Sequence, residues 1–154
     1  KKEKQKEKAI MDMIRLLKSV RASEGYRNMV YLDTLGKRTV GVGHLCVEDF
    51  WEDNKEYEED FLMEILEKDL ENAISGAEEL LQGCEVDDLC RELIVEMVFQ
   101  MGKTGVSKFP AMWRALKSKP PQYKTASIEM LDSRWAKQTP NRAKSMAKKM
   151  KSLE

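Results

Sequence analysis

Residues 23–46 read SEGYRNMVYLDTLGKRTVGVGHLC. Glu24 precedes Asp33 by nine positions, and Thr39, Gly41, Gly43 and His44, the chain's one histidine, follow. Two carboxylates across a cleft supply the chemistry of glycosidic-bond hydrolysis. One donates a proton to the leaving oxygen; the other, ionised, activates a water or attacks the sugar. A threonine hydroxyl beside the second carboxylate can hold that water. Read as one strand, residues 37–45 put Thr39, Gly41 and Gly43 on one face and Val40, Val42 and His44 on the other. The glycine face would then be a floor under a substrate, with Asp33 overhanging it and Glu24 opposite. On spacing alone the carboxylate pair is unspecific, and a histidine sharing a face with valines reads as structural.

The elements that must position these residues follow from periodicity. Ile10, Met13, Ile14, Leu17 and Val20 recur on one stripe and predict a helix over residues 1–22, stopped by Gly25. Residues 29–45 predict a β-hairpin turning at TLGK, followed by an acidic irregular link over 46–55. A helix of ~26 residues, ~39 Å long, is predicted from Tyr57 to Gln82, with Leu62, Ile65, Leu66, Leu70, Ala73, Ile74, Ala77 and Leu81 on its apolar stripe. A more apolar helix, containing LIVEMVFQM, is predicted from Asp87 to Met101 and stops at Gly102. Shorter helices are predicted near 110–118, 122–136 and 141–153, punctuated by Pro110, Pro120, Pro121 and Pro140. Trp113 and the methionines, Met97 and Met101 among them, read as core; Trp135 reads as part core and part cleft wall. The run AKSMAKKMK reads as a solvated helix face.

The 154 residues, 42% hydrophobic and 35% charged, fit one globular unit or two small lobes sharing a long element. No apolar run approaches the ~18 residues of a membrane span, and KKEKQKEKAI has no apolar core of a secretory signal behind it. Cys46, Cys84 and Cys90 are too few for a disulfide framework, leaving free thiols or one local bridge between Cys84 and Cys90. One histidine and no C-x-x-C spacing argue against a metal site. Net charge is zero but uneven: residues 47–92 hold eighteen acids and three bases, residues 103–154 thirteen bases and three acids. Either the C-terminal half faces something anionic or the two halves complement each other in the fold.

EGYRNMVYLDTLGKRTVGVGHL resembles the signature of the phage-type lysozymes, glycoside hydrolase family 24, and MVFQMGKTGVSKF and SRWAKQTPNRAK resemble two further blocks of that family. The blocks run in the family's order and cover most of the chain from Glu24 to Lys144. The resemblance implies an α+β, mainly helical lysozyme-like fold in a single domain over 1–154. Its small β-hairpin lobe (25–58) would be joined by a long helix (59–82) to a helical lobe made of 1–24 with 83–154. It implies hydrolysis of the β-1,4 bond between N-acetylmuramic acid and N-acetylglucosamine in bacterial peptidoglycan. No cofactor or metal, nucleic-acid partner or stable membrane insertion is implied, and the expected state is a monomer.

The family's acid glutamate falls on Glu24, its aspartate on Asp33 and its water-holding threonine on Thr39. His44 matches a structural histidine that pairs with an aspartate of the long helix, here Asp69. Arg142 matches an arginine that reaches the catalytic glutamate. Leu45, Phe99, Gln100 and Trp135 match positions lining the saccharide and peptide cleft. The link after His44 and the tail after Lys144 are shorter than in the family's best-known member. That member is strongly basic where this chain is neutral, so weaker attraction to anionic walls is expected. A lysozyme fold kept only for glycan binding, and a lytic transglycosylase, are the alternatives; the intact Glu24, Asp33 and Thr39 favour hydrolysis.

Overall fold

The computed structural model describes the backbone of residues 1–154 and every side chain except that of Ile10. Helix α1 spans Lys2–Glu24 and ends where predicted: Gly25, at φ 77°, gives its N–H to the Arg21 carbonyl at 2.9 Å. Its inward stripe is Met13, Leu16, Leu17 and Val20, spaced i, i+3, i+4 and i+7. The predicted stripe is corrected at Ile14, which is exposed, while Leu16 is buried. Ile10, also placed on that stripe, lies outside the described side chains.

Three short strands follow, β1 (Arg27–Leu32), β2 (Arg38–Gly41) and β3 (His44–Leu45), in an antiparallel sheet of order β1-β2-β3. The β1–β2 turn forms at TLGK as the sequence predicts. Asp33 closes it: its Oδ1 accepts the N–H groups of Leu35 (2.9 Å) and Lys37 (2.8 Å). Tyr31 stands opposite Thr39 and Leu32 opposite Arg38, with an irregularity between Arg27 and Tyr31.

The single strand predicted for 37–45 is not formed. Val40 pairs with His44 and Thr39 with Leu45, so the chain reverses around Val42. Gly41 and Gly43 flank that reversal at φ 63° and 66°, a left-handed conformation that costs an L side chain ~1–2 kcal/mol. They are turn glycines, and the alternating floor expected from strand periodicity is corrected accordingly.

Residues 46–58 run through turns and bends, yet Trp51 within them is buried with Val40 and Leu62 as the core of this region. Tyr26, Val30, Cys46, Tyr57, Met63 and Ile65 pack around that core. Tyr57 fixes the link at both ends, its N–H donating to the Asn28 carbonyl (2.9 Å) and its hydroxyl accepting from the Glu52 N–H (2.8 Å).

Helix α2 spans Glu59–Leu80, 22 residues or roughly 33 Å, shorter at both ends than predicted. Leu62, Leu66, Leu70, Ala73 and Ala77 form its buried stripe. The chain divides into two compact units, Lys1–Asn72 and Ala73–Glu154, and the boundary falls inside α2.

In the second unit, α3 (Asp88–Ser107) buries Leu93, Ile94, Met97 and Val98 and breaks its helical geometry at Gly102, where the sequence placed its stop. It is followed by α4 (Pro110–Lys117), α5 (Tyr123–Leu131), α6 (Arg134–Gln138) and α7 (Pro140–Lys151). The predicted helix over 122–136 is two helices, because Ser133 caps a new start: its Oγ accepts the Ala136 N–H at 3.1 Å. Helix α5 packs on α4 and α7, and Met112, Leu116, Met130 and Met150 fill the interior. Met11 is exposed, so the methionines are not uniformly core. All three cysteines are free thiols.

Candidate active site

Glu24 is the last residue of α1, and the β2–β3 turn comes up against its carboxylate. A Cβ added to Gly43 would lie 3.0 Å from Glu24 Oε2 and 3.2 Å from its Cδ. Glycine at 43 thus serves two needs at once, a left-handed backbone and room for a carboxylate. Asp33 stands at the end of β1, its Oδ1 committed to the two turn amides. Tyr31 lies between these acids in the sequence. Burial first, then the charge of Glu24 and, more weakly, that of Asp33 push its phenol above the usual value, while Arg27, stacked 4.6 Å from the ring, opposes them. The charges of both carboxylates thus act on this phenol. Sequence reasoning passed over Tyr31; its register opposite Thr39 is the signal that tertiary structure adds.

Thr39 is only 3% exposed, and its hydroxyl donates to the Lys37 carbonyl at 2.9 Å. Its proton is therefore used, and what remains is acceptor capacity. Leu45, its partner across β2–β3, is exposed.

His44 is held from both sides. Its Nδ1 lies 2.7 Å from Asp69 Oδ2 and its Nε2 2.9 Å from Glu48 Oε1. Glu48 Oε1 also accepts the Trp51 indole N–H at 2.8 Å. Both ring nitrogens face carboxylates, so the imidazolium, with two N–H donors, is the form that satisfies the site. The Asp69 hydrogen bond leads in raising the histidine to about 9 against the opposing cost of burial, with Glu48 adding to it. Glu48 is in turn held below the ordinary carboxylate range, first by the Trp51 indole and then by His44. Asp69 was expected as the partner of His44; Glu48 was not. It lies four residues after the histidine in a link that looked irregular.

The remaining site residues named from the sequence lie in the second unit. Gln100 accepts the Trp135 indole N–H (2.9 Å) and donates to Thr139 Oγ1 (3.4 Å), and the Thr139 hydroxyl donates to the Trp135 carbonyl (3.0 Å). Phe109 meets the Trp135 ring edge-on at 6.3 Å between centroids. Trp135 is buried and Phe99 half-buried. The Arg142 Nη2 stands 3.9 Å from Glu96 Oε1, both side chains largely buried.

Residues 21–152 match the phage lysozyme family. The chain belongs to that family. It is also 28% identical over 151 residues to the probable T4-type lysozyme 2 of Dictyostelium discoideum, a match covering 78% of this chain and 84% of that protein. This phage lysozyme family member is a glycoside hydrolase, a lysozyme-type enzyme acting on peptidoglycan. Among the described residues no helix is long and apolar enough to cross a membrane. For a glycoside hydrolase, the first unit supplies two carboxylates within electrostatic reach of one phenol, one of them packed against a bare glycine, with a hydroxyl whose acceptor sites are uncommitted by its own proton.

Proposed function

We infer that this protein is a muramidase that cleaves the β-1,4 bond between N-acetylmuramic acid and N-acetylglucosamine with inversion, and so lyses bacteria. The observations that support the reading are the Glu24 carboxylate lying against Gly43 in the β2–β3 turn, Thr39 standing opposite Tyr31 in the same sheet, and Asp33 closing the turn that joins β1 to β2. Glu24 is the general acid: it protonates the bridging oxygen as the bond to the anomeric carbon breaks. Asp33 and Thr39 orient the water that attacks the opposite face.

The hydrogen-bond directions suit that role. A nucleophilic water must keep a lone pair toward the sugar and give its protons elsewhere. Thr39 Oγ1 has spent its own proton on Lys37 and can only accept. Asp33 Oδ1 is occupied by the turn amides, so Oδ2 takes the water's other proton. Leu45, Phe99, Gln100 and Trp135 are proposed to line the path of the glycan and its peptide, and Arg142 to support the acid.

The test is the Glu24→Gln variant together with product stereochemistry. Removing the proton donor should lower the rate of peptidoglycan hydrolysis by ~10²–10⁴-fold with folding intact. Proton NMR of fresh wild-type product, read before mutarotation, should show the α-anomer. Near wild-type lysis by folded Glu24→Gln overturns the acid; an initial β-anomer makes Asp33 a nucleophile; a 1,6-anhydro product means a transglycosylase.

A further inference from the structure

The second unit carries a cleft of about 440 Å³ lined by Leu80, Ser107, Pro110, Trp113, Arg114 and Lys117. None of the residues assigned to catalysis or to the glycan path lines it. Its size is that of a small-molecule site, where a mostly apolar lining is joined by a few convergent polar groups. Four lining residues, Pro110, Trp113, Arg114 and Lys117, are spaced i, i+3, i+4 and i+7 on α4 and so share one face of that helix. Leu80, Pro110 and Trp113 are the apolar part of the lining, and the Trp113 indole N–H is committed to the Val106 carbonyl at 2.9 Å. That bond holds the ring in place.

The charge of the cleft is one-sided. Two cations line it and no acid does. Among the described residues, neither the Arg114 guanidinium nor the Lys117 ammonium enters an ion pair, while other lysines of this unit, Lys103 and Lys119, do. Ser107 adds a hydroxyl to the lining, although its proton goes to the Thr104 carbonyl. An apolar lining beside two adjacent donors of positive charge suits an anion with an apolar or ring-shaped body, and a planar guanidinium matches a carboxylate or phosphate group in two parallel bonds.

We propose that the cleft of Leu80, Ser107, Pro110, Trp113, Arg114 and Lys117 binds a carboxylate-bearing saccharide of the muramyl-peptide type, with Arg114 and Lys117 on the carboxylate and the Trp113 edge and Pro110 under the sugar. The choice of saccharide rests on the muramidase reading, since such fragments are what that reaction leaves. The cleft would hold a cut or uncut wall strand to the enzyme, adding a specific contact to the excess of bases over residues 103–154.

The experiment uses full-length Glu24→Gln protein, so that nothing is turned over, and follows the Trp113 indole and the Ser107 and Lys117 amide signals by NMR. The probes are N-acetylmuramyl-L-alanyl-D-isoglutamine, the neutral disaccharide N,N′-diacetylchitobiose, and octanoate. The expected result is saturable shifts of these three signals with the muramyl peptide and much weaker ones with the other two. Arg114→Gln with Lys117→Gln should weaken that binding by at least about tenfold, since it removes two charge-assisted hydrogen bonds.

No shift at these signals with the muramyl peptide up to about 10 mM overturns the site. Equal shifts with the neutral disaccharide overturn the role of the cations, and equal or stronger shifts with octanoate overturn the saccharide. The muramidase reading fails separately, through product analysis of the wild-type enzyme, and a positive titration survives that failure.

Discussion

Replacing His44 by Asn tests whether the folded protein stores stability in a charged histidine. Asn leaves one amide donor near the position of Nδ1 but cannot carry charge or serve both carboxylates. His44 is raised from 6.5 to about 9, led by the Asp69 hydrogen bond. At ~1.4 kcal/mol per pH unit the ceiling on its contribution is ~3.4 kcal/mol. The histidine side chain is 13% exposed, but Glu48 and Asp69 keep 38% and 28%. Solvent screening of those partners brings the expected value to roughly 2 kcal/mol.

The sign of the pH dependence follows from the direction of each change. A raised histidine contributes fully below its unfolded value of 6.5 and loses that contribution as pH rises through about 9. Glu48, held below its ordinary 4.5, contributes above 4.5 and loses that contribution as pH falls through its depressed folded value. The full effect therefore lies between pH 4.5 and 6.5. Thermal melts of wild type and His44→Asn should differ by roughly 4–8 °C at pH 5.5, for a chain of this size. By pH ~9.5 the gap should shrink to a quarter or less, because wild type has by then lost the imidazolium. A gap that stays constant from pH 5.5 to 9.5 would refute the charged-histidine account, and so would a histidine ring resonance that titrates near 6.5 in the folded protein.

Two glycines that both sit at positive φ should behave differently. Gly43→Ala and Gly36→Ala both place an L side chain at positive φ and should each lose ~1–2 kcal/mol in urea melts, but only at Gly43 does the new methyl meet Glu24, so only that variant should lose most of its hydrolysis. Equal activity in the two variants would sever Gly43 from the site. Ser133→Ala removes the acceptor of the Ala136 N–H at the start of α6 and should cost ~1 kcal/mol, read by the same melts. Burial pushes the Cys90 thiol up to about 12, so titration with a thiol reagent at pH 8 should modify half-exposed Cys46 first and reach Cys90 only on unfolding.

Much of the fold is local chemistry and was therefore legible in the chain. Gly25 ends α1, Gly102 breaks α3, and the Asp33–Gly36 turn joins β1 to β2, each because a single residue type satisfies a backbone need at that point. The apolar spacing of Leu62, Leu66, Leu70, Ala73 and Ala77 likewise specifies α2 without reference to any neighbour. The pairing of His44 with Asp69, 25 residues apart, came from resemblance to a family and not from periodicity.

Tertiary structure decided what depends on two distant segments meeting. Strand periodicity treats V-G-V-G as alternation, and only the pairing of Val40 with His44 shows that both glycines turn the chain and that one of them yields space to Glu24. Glu48 and Trp51 looked like parts of an irregular acidic link. They are instead the second support of His44 and a core residue, because the link folds back on the sheet. Tyr31 gains its place opposite Thr39 in the same way. Turn and helix signals act over a few residues and survive translation into sequence rules. Side-chain partnerships across a sheet or a link depend on register and chain reversal, which the packing of the whole unit selects.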